Sequence, residues 1–309
     1  MRKFSDYSLL FIKGLGMGAA DVVPGVSGGT IAFITGIYEE LITSIRSVDL
    51  EALRLLLKLK VGPFWKKING NFLLAVFGGV LISVFSLARI LKWLLANHPV
   101  LIWAFFFGLI LASALVVIRK IRSWNAVRLT GLVAGTIMMF FVTRFTPAQT
   151  TDAYWYIFIT GAIAICAMVL PGISGAFILL ILGKYQFILS AVSDLDIIVL
   201  LVFGLGIITG LLSFANLLSW LFRRYHDLTI SVLAGFIIGS LNKIWPWKET
   251  ITSAVTSHGE TIPVVQRNIM PYLYHDITGS EPLLVPALLL MIAAFIIVII
   301  LDNVNRQEI

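Results

Sequence analysis

The chain has 309 residues, of which 59% are hydrophobic and only 13% are charged. Soluble domains carry about 25% charged residues, so this composition excludes an ordinary soluble protein and indicates a membrane protein. The formal net charge is +7, but the basic residues lie in short loops beside apolar segments, where membrane topology explains them better than binding to nucleic acid.

The chain begins with two apolar segments, at residues 8–23 and 26–45, that are joined only by Pro24-Gly25. The first segment is short for a hydrocarbon layer of about 30 Å. We therefore expect a re-entrant helical hairpin over residues 8–45, with two full antiparallel spans as the alternative.

The rest of the first half, which ends at residue 146, is predicted to contain one interfacial helix and three spans. Residues 49–68 place Leu50, Leu53, Leu56 and Leu57 on one helical face, which fits a helix lying on anionic lipid. A solvated connector is the alternative. The expected spans cover residues 72–96, 99–118 and 127–145.

The second half, residues 147–309, has the same order of segments. A re-entrant hairpin is expected over 154–192 around Pro171-Gly172, followed by spans over 197–221, 229–245 and 283–301. Residues 246–282 form a long external loop, in which four prolines limit helix length. We assign no chemistry to this loop. The predicted fold class is all-α integral membrane, with a re-entrant hairpin and three transmembrane helices in each half.

An internal repeat relates the two halves. Residues 11–49 align with 158–196 at a constant offset of 147, and the aligned pairs include Gly14 with Gly161 and Gly36 with Gly183. After a small gap, Gly79 aligns with Gly206. The two Pro-Gly breaks occupy equivalent positions, so we interpret the chain as a duplication.

The distribution of basic residues predicts the orientation of the chain. Most of the 23 Lys and Arg residues fall at the termini or in loops at 46–67, 119–128 and 223–224, which lie on one side in this topology. The opposite side receives Arg144, Lys243, Lys248 and Arg267. The positive-inside rule then places both termini in the cytoplasm of an inner-membrane-type protein, and gives the two repeats opposite orientations.

The Pro-Gly breaks carry the chemistry that the sequence indicates. Pro24 and Pro171 should break helices inside the membrane, where unpaired backbone groups cost several kcal/mol each unless they face protein, water or a ligand. The N–H groups and the positive dipole end of the helix after each break suit a phosphate. A tight turn with a serine cap is the alternative. The candidate phosphate-binding residues are Gly25, Val26, Ser27, Gly28, Gly29, Thr30, Gly172, Ile173, Ser174 and Gly175.

Charged residues inside the apolar segments are further candidates. Arg89, Lys92 and Lys184 are candidate charge partners for a phosphate, with snorkelling to the interface as the alternative. Asp21, whose counterpart in the second half is Met168, is the first candidate for a coupling acid. Glu39 and Glu40 are also candidates, unless they are interfacial charges.

Two stretches around the breaks resemble a known family. Residues 16–30 read GMGAADVVPGVSGGT and residues 168–175 read MVLPGISG, a pattern similar to the PopT family of bacterial polyprenyl-phosphate transporters over essentially the whole chain. The resemblance implies a flippase that returns undecaprenyl phosphate, the lipid carrier for peptidoglycan and other surface polymers, from the outer to the cytoplasmic leaflet.

Two other functions remain as alternatives. A transporter or channel for a small anion would use the same helix ends, and an axial path rather than a side opening would favour it. A membrane phosphatase is less favoured, because His98, His226, His258 and His275 lie in or next to loops without a phosphatase signature. We expect a non-enzymatic protein without metal or cofactor, with the bilayer and a polyprenyl phosphate lipid as partners. A second copy of the chain, in a homo-oligomer, is a further candidate partner.

Overall fold

The computed structural model describes residues 3–23, 26–145, 150–255 and 261–307, without the side chains at 4, 88, 89, 92, 193, 253–255, 261–264 and 304–307. The described residues form helices and one two-stranded antiparallel sheet. The elements are α1 (Phe4–Val22), α2 (Gly28–Ile34), α3 (Tyr38–Arg46), α4 (Leu50–Leu57), α5 (Val61–Lys67), α6 (Gly70–Asn97), α7 (Pro99–Ile118), α8 (Ala126–Val142), α9 (Tyr154–Val169), α10 (Gly175–Ile181), α11 (Tyr185–Ser193), α12 (Ile197–Ser240), β1 (Lys248–Val255), β2 (Thr261–Asn268), α13 (Pro271–Thr278) and α14 (Leu284–Gln307).

Four of the described helices, α6, α7, α12 and α14, are long and apolar enough to cross a membrane. The pair α10 and α11, bent by 113° at its break, makes a fifth if it is one broken span. Helices α8 and α9 are apolar but shorter. Large apolar side chains such as Phe85, Leu201 and Leu289 are exposed on these helices, as expected for contact with lipid. The chain is a mostly helical, multi-pass membrane protein.

Helix α12 joins two expected spans across a break in its backbone torsions. The expected span at 197–221 and most of that at 229–245 lie in one 44-residue helix, which ends at Ser240 and in which Tyr225 has non-helical torsions (φ −136°, ψ 47°). At about 1.5 Å per residue the helix would measure about 66 Å, twice the hydrocarbon thickness, so the parts before and after Tyr225 are separate segments. Tyr225 lies in the gap that the sequence places between the two spans, although residues 222–228 contain neither proline nor glycine.

Each predicted re-entrant hairpin contains a second break that the sequence analysis missed. The apolar segment at 26–45 is divided into α2 and α3, and the segment at 173–192 into α10 and α11. Gly36 (φ +75°) and Gly183 (φ +65°) stand at these divisions. Backbone with positive φ favours glycine, which explains why the chain turns there.

The predicted interfacial helix at 49–68 is also two helices, α4 and α5, separated by Leu59 with φ +53°. Leu50, Leu53 and Leu57 of α4 are exposed, as an interfacial helix requires. Lys67 forms ion pairs with Asp49 and Glu51, which joins the end of α5 to the start of α4.

The loop at 246–282 departs from the all-α expectation. Strands β1 and β2 pair from Lys248–Asn268 to Val255–Thr261, and α13 follows them. Threonine, isoleucine and valine are frequent in both strands, as in other β-strands. Trp247 is buried and donates a hydrogen bond from Nε1 to the Pro282 carbonyl (2.8 Å), which holds the sheet against the start of α14.

The two ends of the helix bundle differ in composition. At one end, called the basic end, Arg46 donates to Asn216 Oδ1 (2.9 Å) and Arg128 lies 3.4 Å from Asp227, so the basic loops lie together near Tyr225. At the other end, called the sheet end, β1 and β2 pack near the start of α7 and the end of α8. The grouping of basic loops at one end is as the charge pattern predicts.

Close helix contacts recur in the two halves. A Cβ on Gly79 would overlap the Phe11 carbonyl in the pair α1–α6, and a Cβ on Gly206 would overlap the Phe158 carbonyl in the pair α9–α12. In the same way, Gly108 brings α7 against α14, while the 226–240 part of α12 packs on α8. Two helices of the first half, α7 and α8, therefore pack against helices of the second half, α14 and α12.

Candidate functional site

The two broken segments meet in the protein interior. Ser27, which is fully buried, directs its hydroxyl at the carbonyls of Met168 (3.2 Å) and Leu170 (3.1 Å). The Gly172 N–H donates to Thr30 Oγ1 (2.9 Å). We call this contact between residues 27–30 and 168–172 the break junction.

Tyr38 adds a third link to the break junction. Its hydroxyl donates to the Val169 carbonyl (3.2 Å), and its buried ring packs against Phe33 and Phe222. All three links use side chains of the first half and backbone groups of the second. The junction therefore satisfies backbone groups that the second break would otherwise leave unpaired.

The start of α2 already holds an anionic group. The Gly28 N–H donates to Asp21 Oδ1 (2.7 Å), and the Gly29 N–H donates to Ser27 Oγ (3.1 Å). Two of the donors that the sequence analysis assigned to a phosphate are therefore engaged within the protein. Pro24 and Gly25 lie outside the described residues.

The end of α2 is bound by two lysines that the sequence analysis did not assign to the site. Lys13 donates to the Thr35 carbonyl (2.8 Å) and Lys120 to the Phe33 carbonyl (2.9 Å). An acid at the start and ammonium groups at the end complement the helix dipole. A lone lysine within the apolar segment of α1 was the available signal for Lys13.

The start of α10 is different, because Met168 stands where the first half has Asp21. Ser174 is the N-cap residue, and its side chain makes no capping hydrogen bond. Ile173, Ser174 and Gly175 are buried, and Gly172 has φ +87°. The first turn of α10 therefore lacks the carboxylate and the serine cap that α2 has.

The three basic candidates do not gather at the break junction in the described part of the chain. Lys184 lies beyond the far end of α10, where it is buried, forms an ion pair with Asp152 and donates to the Thr150 carbonyl (3.2 Å). Its charge is thus balanced within the protein. Arg89 and Lys92 belong to α6, but their side chains lie outside the described residues.

Glu39 and Glu40 line a cavity of about 300 Å³ at the basic end, together with Lys67 and Asn69. Glu39 Oε1 lies 3.2 Å from His226 Nε2, and Glu40 Oε1 accepts a hydrogen bond from Asn69 Nδ2 (2.9 Å). Both acids lie in the first turn of α3, directly after Tyr38.

A second cavity, of about 340 Å³, lies at the sheet end and was not predicted. Its wall includes Phe177 of α10 and four cations, Arg144, Lys243, Lys248 and Arg267. These cations are the ones that the charge pattern separated from the basic loops. Sequence alone did not indicate that they surround one cavity, since they come from three separate stretches of the chain.

Comparison with known proteins gives a consistent assignment. Residues 17–262 match the family described as undecaprenyl phosphate translocase-like. The chain is 47% identical over 301 residues to the polyprenyl-phosphate transporter of Vibrio cholerae serotype O1, an alignment that covers 97% of this chain and 98% of the relative. It is 30% identical over 264 residues to the polyprenyl-phosphate transporter of Staphylococcus aureus, covering 80% and 88%. No solved structure matches. The chain therefore belongs to the undecaprenyl phosphate translocase-like family.

Proposed function

We propose that the chain returns undecaprenyl phosphate from the outer to the cytoplasmic leaflet of the bacterial inner membrane for the synthesis of cell-envelope polymers. Family membership and the names of the two relatives support a lipid-carrier substrate. The observation that carries the proposal is the break junction, where two interrupted helical segments meet inside a membrane protein. Broken helices of this kind form substrate sites in secondary transporters.

The substrate poses a definite physical problem. A phosphate monoester carries about −1.5 to −2 charges at pH 7, and its transfer through hydrocarbon is costly without polar partners. The prenyl chain is apolar and stays in lipid. A protein that moves the headgroup alone therefore needs a polar path beside a lipid-facing opening.

Asp21 gives the junction a means of coupling transport to an ion. Its carboxylate accepts the Gly28 N–H at 2.7 Å, which is where a phosphate would bind at the start of α2. In this proposal the phosphate first reaches the start of α10, which has no such carboxylate, and then competes with Asp21. Protonation of Asp21 removes the competing charge, so that proton uptake favours binding of the phosphate.

The two halves are proposed to be inverted repeats with both termini in the cytoplasm. The matching glycine contacts, Gly79 on Phe11 and Gly206 on Phe158, support the duplication. The grouping of basic loops at one end supports the orientation, with the basic end in the cytoplasm and the sheet end outside. Motion of one repeat against the other would open the break junction to each side in turn.

A vesicle assay tests this function. Purified protein in liposomes should move a fluorescent polyprenyl phosphate between leaflets, faster with a pH gradient. Asp21→Asn stays neutral and cannot displace the bound phosphate by regaining a charge, so it should slow this movement on the order of tenfold, equivalent to about 1.4 kcal/mol in the barrier. Ser27→Ala should also slow it. Asp194→Asn, at an exposed acid before α12, is the matched control.

Two results would contradict the proposal. Wild-type vesicles that move no polyprenyl phosphate, with or without the gradient, would exclude the carrier function. Uptake of inorganic phosphate by the same vesicles, without lipid movement, would assign the chain to the alternative class of small-anion transporters.

A further inference from the structure

The cavity at the sheet end has a charge pattern that the break junction does not explain. Its wall combines Arg144 after α8, Lys243 after α12, and Lys248 and Arg267 of the sheet. Among its described wall residues there are four cations and no carboxylate. Arg267 is 2.7 Å from Glu249 and is thus neutralised, which leaves three cations to account for.

Lys248 is the least satisfied of these cations. Its ammonium nitrogen is buried and has no hydrogen-bond partner among the described residues. It lies 3.5 Å from the centroid of the Trp103 ring, a cation–π contact. Burial, and after it the charge of Lys243, hold the pKa of the Lys248 ammonium well below its usual range. A buried ammonium without an anionic partner is unfavourable, and a bound anion would relieve this cost.

Lys243 and Arg144 are likewise placed against rings. Lys243 Nζ lies 4.6 Å from the centroid of the Phe177 ring, and the Arg144 guanidinium carbon lies 4.3 Å from that of Phe140. Neither has a carboxylate partner within ion-pair distance in the part of the chain that the structure describes. Two ammonium groups at one cavity match the charge of a phosphate monoester, and lysine is a common phosphate ligand.

The position of the cavity relates it to the lipid path. Phe177, Leu180 and Ile181 of α10 form its apolar wall. Phe177 is the third residue of α10, within one turn of Ser174 in the second break. A headgroup held by the lysines would therefore lie beside the start of the proposed path, with an apolar surface next to it for the first part of a prenyl chain.

We infer that this cavity is the receiving site for the phosphate group of the lipid on the outer side, with Lys243 and Lys248 as its ligands. The inference rests on the proposed function for the identity of the lipid and for the orientation of the sheet end. The chemistry of the site rests on the two lysines of the cavity wall, of which Lys248 has no hydrogen-bond partner among the described residues.

Binding to the purified protein in nanodiscs tests the site without transport. The probes are farnesyl phosphate, inorganic phosphate and farnesol, titrated by calorimetry. The double variant Lys243→Gln/Lys248→Gln should bind farnesyl phosphate about tenfold more weakly or worse, because two charged hydrogen bonds are lost. Lys58→Gln/Lys66→Gln, which removes two exposed lysines at the basic end, is the matched control and should bind like the wild type.

Size-exclusion chromatography shows whether each variant is folded. If the double variant does not fold, the single variant Lys243→Gln is titrated in its place. Affinity for farnesyl phosphate equal to that of the wild type in the folded variants would overturn the inference. Wild-type binding of inorganic phosphate without binding of farnesyl phosphate would also overturn it, by assigning the cavity to a free anion. Lysine-dependent binding of farnesyl phosphate in a protein that moves no lipid would refute the proposed function and leave the site standing.

Discussion

Thr30 shows how single side chains hold the two broken segments together. Its hydroxyl oxygen is buried and accepts the N–H of Gly172, which lies 142 positions away in sequence. A buried N–H without a partner costs about 1–3 kcal/mol. The threonine thus acts on the second break through its hydroxyl rather than through its size.

Thr30→Val should lower the free energy of unfolding by about 1–3 kcal/mol, because valine keeps the shape of the side chain and removes the acceptor. Unfolding in mixed micelles with increasing SDS would measure the change. Thr130→Val is the control, since Thr130 is exposed on α8 and its hydroxyl donates to the Val127 carbonyl of its own helix. Equal stability of the two variants would mean that the bond to Gly172 contributes nothing.

At the residue scale, the sequence predicted the positions of the break residues better than their partners. Asp21 was expected to be important because it is an acid beside a break in an apolar segment. Its contact with the Gly28 N–H depends on how α2 folds back on α1, which no local pattern specifies. The same holds for Lys248 and Trp103, which meet only because the sheet packs over the start of α7.

Helix α2 is a short helix that is stabilised by burial and by charged side chains at both of its ends. Isolated helices of fewer than about 12 residues are marginal in water, and α2 has seven. It is buried, has Asp21 at its start and receives Lys13 and Lys120 at its end. The turn that follows, with Gly36 at φ +75°, directs the chain into α3.

Gly36→Ala should destabilise the protein by about 1–2 kcal/mol, the cost of left-handed backbone in a residue with a Cβ. Apart from the glycine and its two chain neighbours, no atom of the described residues lies within 4 Å of the position that the added methyl group would occupy, so the cost is conformational rather than steric. Gly204→Ala is the matched control, because Gly204 also has open space but lies inside α12. There alanine should be neutral or stabilising by up to about 1 kcal/mol.

The same SDS unfolding measurement compares the two alanine variants. A Gly36→Ala protein as stable as the Gly204→Ala protein would show that the turn can adopt another conformation at no cost.

At the element scale, hydropathy predicted where apolar helices occur but not where they are interrupted. Residues 26–45 remain apolar through Gly36, so their pattern resembles a single helix. The alignment of Gly36 with Gly183 was visible in the sequence, yet the positive φ that both residues adopt was not. The strands at 248–255 and 261–268 were missed because prolines and polar residues suggested an irregular loop.

The whole molecule is held together by packing between the halves. Helix α7 of the first half contacts α14 of the second, and α8 contacts the 226–240 part of α12. Sequence repetition predicted two similar halves. It did not predict that helices of one half pack against helices of the other, because contacts such as that of Gly108 with Met291 join residues of different halves. Neither half buries these helix faces by itself.

The two ends of the bundle should be accessible from opposite sides of the membrane. In a Cys166→Ala background, Ser280→Cys at the sheet end should react with a membrane-impermeant maleimide in intact spheroplasts. Lys66→Cys at the basic end should react only after lysis, because basic loops are retained in the cytoplasm. Both positions are exposed in the structure. Labelling of both positions from outside, or the reverse pattern, would refute the proposed orientation.

The break junction has a consequence for how the two halves tolerate substitution. Ser27, Thr30 and Tyr38 contribute side chains, whereas residues 168–172 contribute only carbonyl and amide groups. Every residue type supplies a carbonyl, so Met168, Val169 and Leu170 can be exchanged for other apolar residues without loss of these bonds. Exchange of Ser27, Thr30 or Tyr38 for an apolar residue removes the hydroxyl and with it the hydrogen bond. Under the proposed duplication, sequence drift is therefore constrained at Ser27, Thr30 and Tyr38 and relaxed at Met168, Val169 and Leu170.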